Sequence, residues 1–537
     1  MELTLAYDIL DILNTMQDAV KQMQKEHAEG NGSQFWHLCW DLQDGLAAVR
    51  KIAHQEIPKG SHNRLEDACI CAAESLKDIK YLVSSGSDKA AWKLEYELGA
   101  IVEDMAIQFY YWGIVDEHPE KRENFLQYIA RTDAFQILKE PEEERKYYCD
   151  LIILVIGYNM LRYTKECVQN ILDNRPKKIR CEVVLYNHGS SDETKDYFES
   201  VEDVKVINVA VNGAVKGVLS RIYSRGRLYL QVSNDVLVGK NAIENLFRCV
   251  EEHPDYGFVV PSTPAVSNLQ TIVAEYKTWE EFLEFTRNNN VYDEKRHEQR
   301  IRLCNPINIV RGTVYLQMRL DLYEDICCTG HQLAFPDDKV SLWMRRHGYK
   351  CILAKDAYCY HYGSVTIKTE VDQQEEQNRM YSEGRKAFLA RYGVDPWGPG
   401  FCFEPELFRA WKIRPVHGAC ILGINCGLGS NSLKVKTLLR EAGYEDACLV
   451  NCVQDGRYLE DLRGVSDEAY VFGRLSDIVV LTQRKWYDYV VVEEAVTGCE
   501  QEQLVRNLLH AGIEFGELVQ KAEDGWRIYI NSSAGNE

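Results

Sequence analysis

Two rhythms of hydrophobic and polar residues alternate along this chain. Up to about residue 145, apolar side chains recur every three or four positions. The series Ile9, Leu13, Met16, Val20, Met23 is one case, and Leu94, Leu98, Ile101, Val102, Met105, Phe109, Trp112 is another. Such spacing lays an apolar stripe along one face of a helix. Glycine and serine interrupt the period at 29–33, 57–61 and 84–87, which predicts a bundle of roughly four to six helices. Near residue 150 the period changes. Short apolar runs at 151–156, 181–186 and 227–232 end in Gly157-Tyr158-Asn159, in Asn187-His188-Gly189-Ser190-Ser191-Asp192 and in Ser233-Asn234-Asp235. Strands that finish in small polar residues and alternate with helical segments predict a parallel α/β sheet with ligand groups at its carboxyl edge.

The stretch 276–302 is polar and is predicted to be a helical excursion from this sheet. A charged helix follows and stops in the Pro/Gly-rich run 392–400, as helices do where proline and glycine collect. A second α/β pattern then begins, with predicted strands at 420–424, 447–451, 469–472, 489–492 and 526–530. The expected organisation is a helical bundle over 1–147, an α/β domain over 148–370, a helical linker over 371–404 and a Rossmann-like domain over 405–537. Trp36, Trp40, Trp92, Tyr110, Tyr111 and Trp112 either fill the bundle's core or line a groove for an acceptor molecule.

Composition narrows the classes of partner. The chain has 537 residues and a formal net charge of −20, which disfavours nucleic acid and anionic membrane, both of which select clustered Lys and Arg. No apolar run approaches the roughly 20 residues that span a bilayer, and the N-terminus has neither the basic nor the apolar region of a secretion signal. A soluble cytoplasmic protein is expected. The 18 cysteines are scattered without a C-x-x-C pair, so free thiols in a reducing compartment are the reading.

Taken in order, the polar motifs over about 150–368 resemble family 2 glycosyltransferases of the GT-A fold, in particular bacterial members. Gly157-Tyr158-Asn159 matches the first loop beside the nucleotide. Asn187 begins the loop whose first residue, usually Asp, hydrogen-bonds the base; Asn also offers an acceptor and a donor. Asn212-Gly213 through Lys216-Gly217 falls near the donor's diphosphate in that family. Ser233-Asn234-Asp235 stands at the Asp-x-Asp metal motif, with Asp235 as its remaining anionic ligand. Phe335-Pro336-Asp337-Asp338 opens the helix that carries the general base of inverting members: Asp337, or Asp338 in reserve. Tyr360-His361-Tyr362-Gly363-Ser364-Val365-Thr366 is similar to the segment whose histidine reaches the metal or diphosphate. The resemblance implies transfer of a sugar from a nucleotide-sugar donor, a UDP-sugar above others, to a glycan or protein acceptor. It also implies Mn²⁺ or Mg²⁺ as cofactor.

The run Ile421-Leu422-Gly423-Ile424-Asn425-Cys426-Gly427-Leu428-Gly429 resembles the first motif of S-adenosylmethionine-dependent methyltransferases. Gly423 and Asn425 depart from it, and no carboxylate stands at Asn451 or Cys452 for the ribose. Three alternatives stay open: a degenerate domain behind an active glycosyltransferase, a bifunctional glycosyltransferase and methyltransferase, and a non-catalytic scaffold with a decayed site.

Overall fold

The structure is a computed structural model that describes residues 2–56, 64–328, 335–363, 374–409, 416–493, 501–521 and 526–530. The break expected at 57–61 lies outside the described residues. The chain is mixed α/β and forms two compact units: Met1–Val238 with Pro306–Gln332 and Tyr360–Asp372, and Gly239–Asn305 with Leu333–Cys359 and Gln373–Glu537. Among the described residues, the strands up to His361 are β1 (Cys149–Gly157), β2 (Cys181–His188), β3 (Lys205–Val209), β4 (Gly226–Ser233), β5 (Val236–Val238), β6 (Tyr256–Ser262), β7 (His297–Arg300), β8 (Ile307–Arg311) and β9 (Lys350–His361).

In the first unit the strand order is β3-β2-β1-β4-β8, parallel as far as β4, with β8 antiparallel to β4. Residues 151–155 of β1 are all buried, as expected of a strand covered on both faces. Its register sets Gly157 opposite Asn187 and Ile156 opposite Ser233. The three polar motifs therefore leave the sheet at one edge.

Helices cover this sheet. Leu3–Glu29 buries the expected stripe of Ile9, Leu13, Met16, Val20 and Met23. The apolar series 94–112 forms one long helical run with π turns at Leu94–Leu98 and Tyr111–Val115 and an α-helix, Gly99–Tyr110, between them. Every residue of Gly99–Tyr110 is buried, acids included. Burying a carboxylate is costly unless it is paired, and each of these is answered. Glu97, just ahead of it, accepts from Ser75 Oγ at 2.7 Å and from the Asn208 N–H at 2.7 Å, and pairs with Lys93 at 3.0 Å. Glu103 pairs with Arg221 at 3.0 Å. Asp104 accepts from Tyr323 Oη at 2.5 Å and from Gln108 Nε2 at 2.6 Å. Trp92 and Tyr110 are core, and Trp92 Nε1 donates to the Val206 carbonyl, whereas Trp40 is exposed beneath Lys80.

In the second unit β6 pairs in parallel with β9, and β7 pairs antiparallel with β9. The predicted helix over 276–302 is corrected here: only Trp279–Asn289 is α-helical, and His297–Arg300 is strand. Polarity hid this strand, because its charges are buried in pairs. Glu298 meets Arg300 at 3.0 Å, Lys355 at 3.2 Å and Lys434 at 2.7 Å. Burial opposes its ionisation, but Arg300, Lys434 and Lys355 outweigh it and bring the carboxyl down to about 2. After the helix Gln374–Tyr392 a second sheet is built from β10 (Cys420–Ile424), β11 (Cys448–Val453), β12 (Glu468–Val471), β13 (Tyr489–Glu493), β14 (Glu517–Lys521) and β15 (Trp526–Ile530). Its order is β12-β11-β10-β13-β15-β14, parallel through β13 and antiparallel beyond. Two apolar clusters cover its faces. Strand β14 is absent from the hydrophobic reading. Among the described residues no helix is long and apolar enough to cross a membrane.

Asp461 is fully buried in this unit and joins two elements. Arg345 reaches it at 2.6 Å and Arg346 at 2.7 Å, both from the end of the helix Pro336–Arg346. Removing one partner of a buried pair strands the other charges, at a cost of about 3–5 kcal/mol. Asp461→Ala is predicted to lower unfolding free energy by that amount in urea titration. A loss under about 1 kcal/mol, the value of a surface pair, would show that the cluster does not hold the helix.

Candidate active site

Three loops interlock at the carboxyl edge of β1, β2 and β4. The turn after β1 is left-handed at two successive residues, with φ of 54° at Asn159 and 59° at Met160, an uncommon state for residues with a side chain. Hydrogen bonds hold it there. The Asn159 N–H donates to Ser190 Oγ at 2.9 Å, Asn159 Oδ1 accepts from the Ser191 N–H at 2.8 Å, and Asn234 Nδ2 donates to the Asn159 carbonyl at 3.1 Å. Asp192 accepts the Leu161 N–H at 3.1 Å, at the start of the helix Leu161–Asp173, where a carboxylate also meets the helix dipole. Gly157 has no room for more: a Cβ there would lie 2.7 Å from the Phe198 ring.

Asn187 is buried, and its Oδ1 accepts the Ser190 N–H at 3.1 Å. It shapes its own loop. Tyr158 is half-buried beside it, and Ser233 sits at the end of β4 with its carbonyl 3.6 Å from Cys167 Sγ. Asn234 is buried and donates to Thr164 Oγ1 at 2.8 Å. Asp235 and His361 come together: Oδ2 and Nε2 are 3.3 Å apart, and the Tyr362 N–H donates to the Asp235 carbonyl at 3.1 Å. Both side chains are buried. One carboxylate oxygen beside one imidazole nitrogen is a donor set that suits Mn²⁺ better than the harder Mg²⁺. Among the described residues no third His, Cys, Asp or Glu completes it, so oxygens of a bound diphosphate would have to fill the remaining positions. The residues fit the cation on those terms. Ser364-Val365-Thr366 of the same motif lie outside the described residues.

Gly213 and Lys216 lie in the loop after β3. The Gly213 φ is 70°, the left-handed region that glycine enters freely. Burial, then Arg64, brings the Lys216 ammonium down to about 8. His188 is lowered further, to about 4, by burial and by Lys216 and Arg64. Imidazole there is neutral at pH 7. Arg64 carries no sequence signal: it lies far from the motifs, and only folding brings its Nη1 to 3.0 Å from the Asn212 carbonyl.

In the second unit the two candidate bases face different surroundings. Pro336 starts the helix, its missing N–H costing nothing at that position, and Asp337 and Asp338 follow in the first turn. Asp338 is buried and held by Arg302 on both oxygens, at 2.7 and 3.2 Å. The cavity beside it is only about 10 Å³, too small for a substrate. Asp337 accepts one backbone N–H, from Asn305 at 3.3 Å, and has no ion pair among the described residues. Burial and the neighbouring Asp338 push its carboxyl up to about 7, against the pull of Arg302. A base poised near the operating pH is what proton abstraction needs. Asp337 is the free carboxyl of the two. Arg302, which separates their roles, was not legible, since one arginine 36 positions away has no local pattern.

A second polar chain in this unit has the order of a nucleophile, base and acid. Cys249 Sγ is 3.6 Å from His297 Nδ1, and His297 Nε2 is 3.2 Å from Asp356 Oδ2. All three are buried, and burial pushes the thiol well above its usual value, so the sulfur stays protonated and the chain is a packing element. The glycine loop after β10 is closed by its own chain. The Leu428 N–H donates to the Pro399 carbonyl at 2.9 Å and the Ser430 N–H to the Gly400 carbonyl at 3.1 Å. A Cβ on Gly427 would lie 2.0 Å from the Pro399 carbonyl oxygen. The Leu428 and Ser430 backbone donors, which an open loop of this kind would turn to a cofactor, are spent on the chain itself.

Residues 152–300 match the family model described as Glycosyl transferase family 2. No curated protein sequence matches the chain. Among solved structures, GalNAc-T7 with UDP, GalNAc and Mn²⁺ is similar at 11% identity and TM-score 0.30, over 45% of this chain and 52% of that one. A mannosyltransferase from Pyrobaculum calidifontis in complex with GDP-Man and Mn²⁺ gives 16% identity and TM-score 0.27, over 48% of this chain and 68% of that one. S. aureus TarS 1-349 in complex with UDP-GlcNAc gives 15% and 0.31, over 46% and 68%. The chain thus spans about half the length of the GalNAc-T7 chain. With TM-scores this low, the family match alone bears on the class of protein.

Asp337 also couples the site to stability. Its folded value, about 7, lies above the ordinary 3.8, so at intermediate pH the unfolded chain has released a proton that the folded chain keeps. Folding then loses stability as pH rises from about 4 to about 7. Asp337→Asn removes this penalty. The variant is predicted to gain stability over the wild type at pH 8 and none at pH 3, read from denaturant midpoints. A gain independent of pH would show that the carboxyl titrates normally.

Proposed function

We propose that this chain is a glycosyltransferase of the family 2 type. It would move a sugar from a nucleotide-sugar donor, a UDP-sugar above others, to a glycan or protein acceptor, with inversion. The observation that carries the reading is the coincidence of the family match over 152–300 with the interlocked loops after β1, β2 and β4, since open parallel sheets bind ligands at their carboxyl edge. In this reading Gly157, Tyr158, Asn159 and Asn187 shape the base and ribose pocket, and Gly213, Lys216, Ser233 and Asn234 border the phosphates. Asp235 and His361 hold the divalent cation, which when bound neutralises charge on the leaving diphosphate. Asp337 accepts the proton of the acceptor hydroxyl, and burial together with the neighbouring Asp338 keeps it basic against the pull of Arg302. The net charge of −20 and the free cysteines of the described residues support a cytoplasmic setting. The closed glycine loop after β10 supports a C-terminal part without methyltransferase activity.

The test separates the two halves of the chemistry. Asp337→Asn is predicted to lower turnover roughly 10²–10⁴-fold with donor affinity unchanged, because the amide cannot take a proton. Asp235→Ala is predicted to abolish the Mn²⁺ dependence of donor binding while the fold persists. If Asp338→Asn shows the turnover loss instead, the base moves by one residue. If no nucleotide sugar is turned over by the wild type, the glycosyltransferase reading falls.

A further inference from the structure

Near the loop 212–217, the first unit brings two cationic side chains together. Arg64 precedes the helix Leu65–Ser84 and donates from Nη1 to the Asn212 carbonyl at 3.0 Å. A Cβ on Gly213 would lie 2.6 Å from that Nη1 and 3.7 Å from Lys216 Cε. One point beside Gly213 is thus shared by a guanidinium and an ammonium stem. Among the described residues neither cation has an ion pair within 4.0 Å. The acid that bears on Lys216 electrostatically is Asp104, whose own carboxyl is raised by burial and committed to Tyr323 and Gln108. His188, kept neutral beside them, adds no third charge but offers a hydrogen-bonding ring. In a chain with a net charge of −20, two converging cations with no carboxylate partner among the described residues suit an anionic ligand.

We propose that Arg64 and Lys216 together bind the diphosphate of the nucleotide donor, so that the N-terminal helical part of the chain contributes directly to the donor pocket. The inference rests on the glycosyltransferase reading for the identity of the anion. It also accounts for Ser233 at the metal motif: with one acid lost there, fixed cations carry part of the charge that the divalent ion otherwise carries alone. Arg64 presents a planar fork suited to two phosphate oxygens, and Lys216 acts as a point charge.

The experiment is calorimetric titration of the full chain with inorganic pyrophosphate and with UDP, each in EDTA and again with Mn²⁺. Wild type is expected to bind pyrophosphate in EDTA, with affinity falling as salt rises. Arg64→Gln and Lys216→Gln are each expected to weaken it roughly ten- to hundredfold, the usual effect of losing a charge-assisted hydrogen bond. Arg64→Lys keeps the charge without the fork and should fall between. Circular dichroism midpoints equal to wild type establish that the variants are folded. If wild type binds UDP with Mn²⁺ and both glutamine variants bind it and pyrophosphate equally well, the cation pair is overturned while the glycosyltransferase reading stands. If wild type binds neither ligand under any condition, the donor reading itself fails, and this inference with it.

Discussion

The helix Gly99–Tyr110 is buried on every side, yet it and the π turn before it carry three buried acids, and the first unit is arranged to answer them. Lys93, Ser75 and a backbone N–H meet Glu97; Arg221 meets Glu103; Tyr323 and Gln108 meet Asp104. These partners come from the N-terminal helices, from β3, from the segment before β4 and from residues after β8. An unpaired acid in that position would cost several kcal/mol, so the helices and the sheet edge are bound to one geometry. The loop 212–217 inherits it. Gln108 donates to the Ala214 carbonyl, and a Cβ on Gly217 would lie 2.1 Å from Asp104 Oδ1. Lys216 is therefore presented by a backbone that has no freedom to retreat, while Arg64 arrives from a helix in the same packed set.

The second unit solves a different electrostatic problem. Two adjacent aspartates on one helical turn cannot both ionise easily. Arg302 pairs with Asp338 and leaves Asp337 with a single backbone donor, pushed up to about 7. Burial raises the Asp338 carboxyl as well, and Arg302 pulls it back, so two neighbouring carboxyls of one turn meet different surroundings. The same helix is tied at its far end through Arg345 and Arg346 to Asp461, which fixes the turn that carries the pair.

The sequence exposed whatever rests on local pattern. Strand β1 was legible because every residue in its middle is apolar and it stops at a glycine. The N-terminal helices were legible because their buried faces recur at helical period. Pairings between distant residues were not. Strand β7 reads as polar, and only distant partners let it be buried: Lys355 and Lys434 pair with Glu298, and Asp356 lies 3.2 Å from His297. The choice between Asp337 and Asp338 depends on Arg302, and the convergence of Arg64 on Gly213 crosses some 150 positions. The glycine loop at 425–429 shows the reverse. Its local pattern reads as a cofactor cradle, and only the fold brings Pro399 and Gly400 into it.

In the proposed function the loops after β1, β2, β3 and β4 receive a nucleoside diphosphate. Hydrogen exchange of the backbone, followed by mass spectrometry with and without UDP and Mn²⁺, reads this directly, because a ligand that binds the native state slows local opening where it sits. Slowed exchange is predicted at 157–161, 187–192, 212–217 and 233–236, with 425–430 unchanged. Protection confined to 425–430, or absent from all of these loops at saturating nucleotide, would contradict it.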